Sequence, residues 1–253
     1  LYKSQSITVD RSRQTWNTRN YPVGAVKFEI SYVSGGDAYT RSKTVTVSES
    51  TIDVSPVESG LELHLASAGR SNNEPNPAIW TDGDTETVFS NVNWNSSGWV
   101  EDGSGDVALR LSGDATAEIG FCPFAADFKA YGKTIEFEFA VRDVNNRDAK
   151  VIDCMNDGVG LYVTADSAVL SSAMSQVECR FKDEEKIRVG FVVESTGKNR
   201  LLLVYLNGIL SSAMQYAEKD LFKQNAPAKI SVGSPYCSVD LYSVRVYNAA
   251  LSS

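Results

Sequence analysis

Histidine occurs once in this chain of 253 residues, and nothing in the sequence makes it a catalyst. His64 alternates with the leucines of "LELHL", which sets it against solvent or a neighbouring strand. There is no G-x-S-x-G elbow and no phosphate-cradling glycine loop. A Ser/His/Asp site and nucleotide chemistry are therefore not expected. Cysteine is nearly as scarce. Cys122, Cys154, Cys179 and Cys237 form no C-x-x-C pair, which argues against zinc. Cys179 alternates with Val177 and Phe181, and Cys154 with Ile152, a rhythm that fits buried free thiols. Disulfides in an oxidising compartment are the other reading. No segment reaches the ~18 apolar residues of a membrane-spanning helix. Basic residues are outnumbered 24 to 32, and no Lys/Arg block breaks the net charge of −8. Neither nucleic acid nor a membrane surface is an expected partner. The chain has no initiator Met and no signal peptide, and it stops abruptly at "NAALSS". It is expected to be a piece of something longer.

Helical periodicity is nearly missing, apart from one turn near "AEKDLF" (217–222). Strand signals fill the space. "AVKFEISYV" (25–33), "SKTVTVS" (42–48), "LELHLA" (61–66) and "VALRLS" (107–112) alternate apolar with polar. So do "TIEFEFAVR" (134–142), "KIRVGFVVE" (186–194), "RLLLVYLNG" (200–208) and "VDLYSVRVY" (239–247). Asn207-Gly208 tolerates the positive φ of a type I′ turn, so it predicts a tight hairpin. A looser hairpin is expected around Gly35-Gly36. Many short antiparallel strands with Gly/Asn/Asp turns predict an all-β protein, a two-sheet sandwich or jelly roll. A linker is expected at 51–60, where Pro56 and Gly60 interrupt the rhythm. The ~50 residues before it, with three or four strands, are marginal for an independent core. The loop-rich stretch 67–87 joins the strand at 61–66 to the main sandwich.

"GKTIEFEFAVRDV" (132–144), "LLLVYLNGIL" (201–210) and the closing "VDLYSVRVYNAALSS" (239–253) resemble laminin-G-like domains, which are concanavalin A-like lectin/glucanase jelly rolls. The string "FSNVNWNSSGW…ALRLSG…KTIEFEF" is similar to the version in tail and virion structural proteins of phages of Gram-positive hosts. There an immunoglobulin-like module often precedes it, and "VKFEISYVSGGDAYTRSKTVTVS" resembles part of such a module here. The resemblance covers 61–253, and more weakly 1–50 as a partial immunoglobulin-like module. It implies a non-enzymatic adhesion or virion module, on a virion or extracellular. Its partners would be the surface carbohydrate of a host cell and neighbouring virion or surface proteins, in a homo-oligomeric assembly. Weak sites would then gain avidity from multiple copies. A purely structural decoration role is the first alternative, since fold alone does not fix function.

Four groups of residues are candidates for chemistry. In "NVNWNSSGWVEDGSG" (91–105), Trp94 and Trp99 stand among Asn91, Asn93, Asn95 and Glu101. An aromatic plane beside amide and carboxylate groups is what a sugar site needs. The competing reading has Phe89, Val92 and Trp94 filling the open edge of the sandwich. Trp99 is expected to be the exposed ring, since Ser96-Ser97-Gly98 gives it no apolar companion. Asn95-Ser96-Ser97 also fits an N-glycosylation acceptor, relevant only in a eukaryotic secretory route. Glu136 and Glu138 have the two-residue spacing that glucanase relatives use for acid and nucleophile, the second alternative function. The relatives' E-x-D-x-x-E pattern fails here, because Glu138 replaces Asp and Val141 stands where a third acid should. The simpler reading places Ile135, Phe137 and Phe139 inside and both glutamates in water. No cofactor is expected, with calcium the one possibility. Oxygen ligands cluster at Asp82/Asp84/Glu86, at Asp143/Asn145/Asp148 and at Asp153/Asn156/Asp157. Laminin-G relatives hold calcium at a sheet rim, which makes Asp153, Asn156 and Asp157 the candidate. Turn chemistry alone also explains Asn156-Asp157-Gly158.

Overall fold

The computed structural model describes residues 24–47, 59–120, 132–145, 149–154, 162–166, 169–172, 177–180, 182, 184–196, 199–216 and 229–251. The chain forms two compact units, Leu1–Val54 and Ser55–Ser253. In the first, β1 (Gly24–Ser34) pairs antiparallel with β2 (Asp37–Val47). Ser34 faces Asp37, so Gly35-Gly36 alone make the turn, at φ 63° and 93°. The connection is tighter than the sequence suggests, because two successive glycines accept the left-handed conformation without strain.

The second unit contains β3 (Leu61–Ala66), β4 (Thr81–Asp82), β5 (Thr85–Ser90), β6 (Gly98–Glu101), β7 (Val107–Leu111), β8 (Thr116–Ile119), β9 (Lys133–Arg142) and β10 (Ala149–Asp153). It continues with β11 (Tyr162–Asp166), β12 (Val169–Ser172), β13 (Val177–Arg180), β14 (Ile187–Thr196), β15 (Asn199–Leu206), β16 (Ile209–Tyr216), β17 (Ile230–Val232) and β18 (Ser238–Tyr247). One sheet runs β13-β12-β11-β10-β17-β8-β5-β4. The other runs β16-β15-β14-β9-β18-β7-β6, with β3 also on β18. Every pairing is antiparallel. The architecture is the all-β, two-sheet jelly-roll sandwich. The candidate helical turn at 217–222 lies outside the described residues.

Period-two patterning builds the core. Ile135, Phe137, Phe139 and Val141 of β9 point inward with Ile187, Val189, Phe191 and Val193 of β14. Ala117 and Ile119 of β8, Val163 of β11, and Ile230 and Val232 of β17 meet them from the other sheet. Replacing Phe137, which is fully buried, by Ala would cost about 3–5 kcal/mol. Cys154 and Cys237 are both buried. Burial pushes the Cys237 thiol up to about 11, against a hydrogen bond with Ser234.

β18 is the centre of the second sheet. β9 pairs with one edge, and β7 and then β3 share the other. Val239, Leu241, Val244 and Val246 enter the core. Asp240, Arg245 and Tyr247 occupy the outer face, and they too are buried. Tyr242 is the extra residue of a bulge between Leu241 and Ser243. After β18 the tail is pinned: Asn248 N donates to Gly60 O at 2.8 Å, and Thr134 Oγ1 donates to Ala249 O at 2.8 Å. The Asn207-Gly208 hairpin has the positive φ pair a type I′ turn needs, 49° and 76°.

Candidate functional site

The tryptophan stretch lies at one end of the sandwich, and its two rings have different fates. Trp99 begins inside β6, where residues on one side of the strand enter the core. It is 5 % exposed. Its Nε1 donates to Pro77 O at 2.8 Å, and its amide donates to Asn72 Oδ1 at 2.8 Å. Trp80 packs edge-on against it at 5.3 Å, and the Arg70 guanidinium lies 4.7 Å from its ring centroid. The expectation of an exposed Trp99 is thus overturned. Its companions come from the loop at 67–80, far back in the chain, rather than from Ser96-Ser97-Gly98. That loop is itself fixed, with Trp80 Nε1 donating to Ala66 O at 3.1 Å and Asn72 Nδ2 to Ser97 O at 2.7 Å.

Trp94 is half-buried. Phe89 meets it edge-on at 5.2 Å, and Trp99 backs it at 6.2 Å with a tilt of 36°. Gly98 makes this possible. Its φ is +79°, and a Cβ there would lie 2.5 Å from Trp94 Cε3 and 2.7 Å from Asn72 Oδ1. Only glycine fits beneath the indole at that backbone angle. Asn93 and Asn95, on either side of Trp94 in the chain, are exposed. Asn93 Oδ1 accepts from Asn95 N at 3.0 Å, and Asn93 O accepts from Ser97 N at 2.7 Å, so the turn is self-supporting. Glu101 is exposed at the other end of β6, roughly 10 Å along the strand from Gly98. It is not brought to Trp94.

Glu136 and Glu138 project from the outer face of the second sheet, each half-buried. Both are engaged. Glu138 receives Arg188 Nη2 at 3.4 Å and Ser243 Oγ at 3.4 Å, with Lys186 Nζ 3.9 Å away. Glu136 receives the Tyr247 hydroxyl at 3.4 Å. Burial first, then the charge of Glu136, pushes the Tyr247 phenol up to about 12. The lone histidine stands on this face too, opposite Arg245 across the β3–β18 ladder. Burial and the Arg245 charge hold the His64 imidazole below its ordinary range, against Asp82.

Further along the same face lies a network that sequence reading did not foresee. Asp240, fully buried, accepts from Arg110 Nε at 2.7 Å, Arg110 Nη2 at 2.7 Å and Arg142 Nε at 2.6 Å. Arg142 also pairs with Glu184. Tyr242 donates to Asp102 at 2.7 Å, and Lys186 sits 4.2 Å from the Tyr242 ring centroid while pairing with Asp106. Burial raises the Asp102 carboxyl, but hydrogen bonds from Ser104, Tyr242 and the Asp106 amide outweigh it and hold it well below the usual carboxylate range. The available signal was the strand "VDLYSVRVY", which carries apolar or aromatic residues on both sides. That composition marks a strand covered on both faces.

No group of three His, Cys, Asp or Glu among the described residues is placed to hold a metal ion. Asp153 pairs with Lys150 at 3.0 Å. Asn156, Asp157 and Asp148 lie outside the described residues.

No protein-family model matches the chain, and no curated protein sequence matches it. Solved structures do. The binding domain of botulinum neurotoxin serotype D/C is 16 % identical, with a TM-score of 0.53 over 76 % of this chain and 50 % of that one. The binding domain of botulinum neurotoxin DC in complex with SialylT is 15 % identical, with a TM-score of 0.52 over 76 % and 49 %. A structure of botulinum neurotoxin type C, which depends on interaction with two ganglioside molecules to enter cells, gives 15 % and 0.51 over 76 % and 49 %. The chain thus spans about half the length of these structures. At this identity the likeness is one of fold alone, a β-sandwich.

Proposed function

We propose that this chain is a non-enzymatic carbohydrate-recognition module, carried on a virion or cell surface and displayed in multiple copies. The observation that carries the reading is Trp94, a half-exposed indole held rigid by Phe89, Trp99 and Gly98 between the exposed amides of Asn93 and Asn95. A pre-ordered ring loses little conformational entropy when a sugar stacks on it. The neighbouring amides offer both donors and acceptors to hydroxyl groups. Trp99 is the foundation of this platform instead of a contact, and Glu101 has no part in it. The botulinum structures support the reading, since one is a complex with SialylT and another concerns gangliosides. The pairing of Glu138 with Arg188 and of Glu136 with Tyr247 favours a structural job for those carboxylates over glycoside hydrolysis. The laminin-G-like relationship, the phage-tail setting and an immunoglobulin-like module ahead of residue 51 complete the proposal.

A glycan array probed with multimerised protein tests it. Wild type is expected to bind a subset of glycans, and Trp94→Ala, which stays folded but melts somewhat lower for loss of its packing on Phe89 and Trp99, to lose about tenfold or more of that signal. An array that stays blank, or binding indifferent to Trp94→Ala and Asn93→Ala together, would remove the rim as a site.

A further inference from the structure

Among the described residues, four buried side-chain polar atoms have no hydrogen-bond partner: His64 Nε2, Thr87 Oγ1, Arg188 Nε and Arg245 Nε. Three of the four belong to one patch. His64 faces Arg245 across the β3–β18 ladder, Arg245 faces Glu136, Glu136 faces Gly190, and Gly190 faces Tyr205. Arg188 is opposite Glu138, one step along the same face. Arg188 and Arg245 thus flank β9 and its Glu136 and Glu138 from the two neighbouring strands, β14 and β18. The floor is buried, with Arg245 8 % exposed, Ser243 4 % and Tyr247 0 %. The margin, at His64, Glu136, Arg188 and Tyr205, is half-exposed.

Buried polar atoms in native proteins nearly always find partners, so three orphans in one patch ask for a missing group. A guanidinium Nε–H only donates and stays charged. The missing group must therefore accept. The local carboxylates do not fill the role: Glu138 meets Arg188 through Nη2 at a slack 3.4 Å, and Glu136 is held by Tyr247. Lys186 is turned to Asp106, so Arg188 and Arg245 are the cations of the patch, and neither Glu136 nor Glu138 reaches their Nε–H groups. Gly190, between Glu136 and Tyr205, adds no side chain to the patch: a Cβ there would sit in ordinary contact with Tyr205 Cβ at 3.7 Å and Glu136 Cγ at 3.8 Å.

We infer that this patch binds the carboxylate of an acidic sugar, with Arg188 and Arg245 as donors and half-exposed Tyr205 beside them. The sugar part rests on the carbohydrate reading above, whereas the carboxylate part rests on these side chains alone. The site is separate from the Trp94 platform.

The test uses the full chain, sodium glucuronate and methyl glucoside, with calorimetry and NMR of the arginine Nε–H groups. Glucuronate is expected to bind and to shift the Arg188 and Arg245 Nε–H resonances, and methyl glucoside to leave them in place. Arg188→Lys and Arg245→Lys keep the charge but remove the Nε–H geometry, and each is expected to weaken glucuronate about tenfold or more with the melting curve retained. Trp94→Ala is expected to leave glucuronate binding intact. Equal binding of the neutral and acidic sugars would overturn the carboxylate assignment while sparing the carbohydrate reading. Glucuronate binding that survives both lysine variants in a folded double mutant would overturn the location. No binding of glucuronate by wild type would overturn the inference whatever the rim does.

Discussion

Two ends of one sheet face carry the same chemistry in opposite states. At the Asp240 end, a buried carboxylate takes three N–H bonds of 2.6–2.7 Å from two arginines. At the Arg245 end, a few residues further along β18, the ion contacts stretch to 3.4 Å and two guanidinium Nε atoms have no acceptor. Burial is comparable, since Asp240 is 0 % exposed and Arg245 8 %. The difference is completion. Buried ions that satisfy one another hold strands in register and need nothing more. Buried ions left short of partners are costly unless something else arrives.

The comparison breaks most visibly by removing one partner at each end. Asp240→Ala would strand Arg110 and Arg142 without their shared acceptor and cost about 3–5 kcal/mol, the usual penalty for an uncompensated buried charge. Arg245→Met would remove a charge that is poorly paired already and fill the space with apolar atoms. It is expected to change stability by about 1 kcal/mol or less, in the stabilising direction. Urea denaturation of both variants measures the contrast. Equal losses at the two ends would mean that the Arg245 end is as complete as the Asp240 end.

A smaller effect separates the second site from the first. Gly98→Ala places a methyl group against Trp94 and Asn72 at a backbone φ of +79°. Strain of this kind costs about 1–3 kcal/mol. The Trp94 ring must move, so glycan binding at the rim is expected to fall further than stability does. The Arg188/Arg245 patch lies on a different face, and its response to glucuronate is expected to persist. Loss of both in a folded Gly98→Ala protein would show the two sites to be one.

These regions also differ in how far the sequence alone reveals them. Alternation in "TIEFEF" correctly sends Phe137 inward and Glu136 outward, because period two is a local property of a strand. Asn207-Gly208 likewise announces its turn through the conformations those two residues tolerate. Trp99 is misread because its partners, Arg70, Pro77 and Trp80, come from a loop that carries no periodic signal. The Asp240 network is invisible for a related reason: Arg110, Arg142 and Asp240 belong to three strands whose adjacency follows from topology, not from spacing along the chain. Arg245 and His64 meet only because β3 returns to β18 at the far side of the domain's sequence. Local chemistry is legible, whereas side-chain meetings across the sheet become so only once strand order is known.

The finest test of the comparison uses the lone histidine. His64 is opposed by Arg245 from β18 and favoured by Asp82 from β4, whose Oδ2 also accepts the His64 amide at 2.6 Å. Burial, then Arg245, lowers the imidazole below its ordinary value of 6.5 in the folded protein. The unfolded chain therefore takes up a proton near pH 6.5 that the folded chain still refuses. Between that pH and the lower folded value, the unfolded state binds more protons, so stability must fall as pH falls. Because the chain has one histidine, no second imidazole blurs this window. Asp102, also depressed, loses its contribution only below its ordinary 3.8, well clear of it. Thermal melts between pH 7.5 and 5.5 should show the fall in wild type and a flatter profile in His64→Gln. Saturating glucuronate should lessen the wild-type slope without abolishing it, because a carboxylate beside Arg245 offsets the Arg245 charge but leaves burial, the larger cause, in place. A wild-type slope untouched by glucuronate, with binding verified in the same sample, would place the anion away from His64.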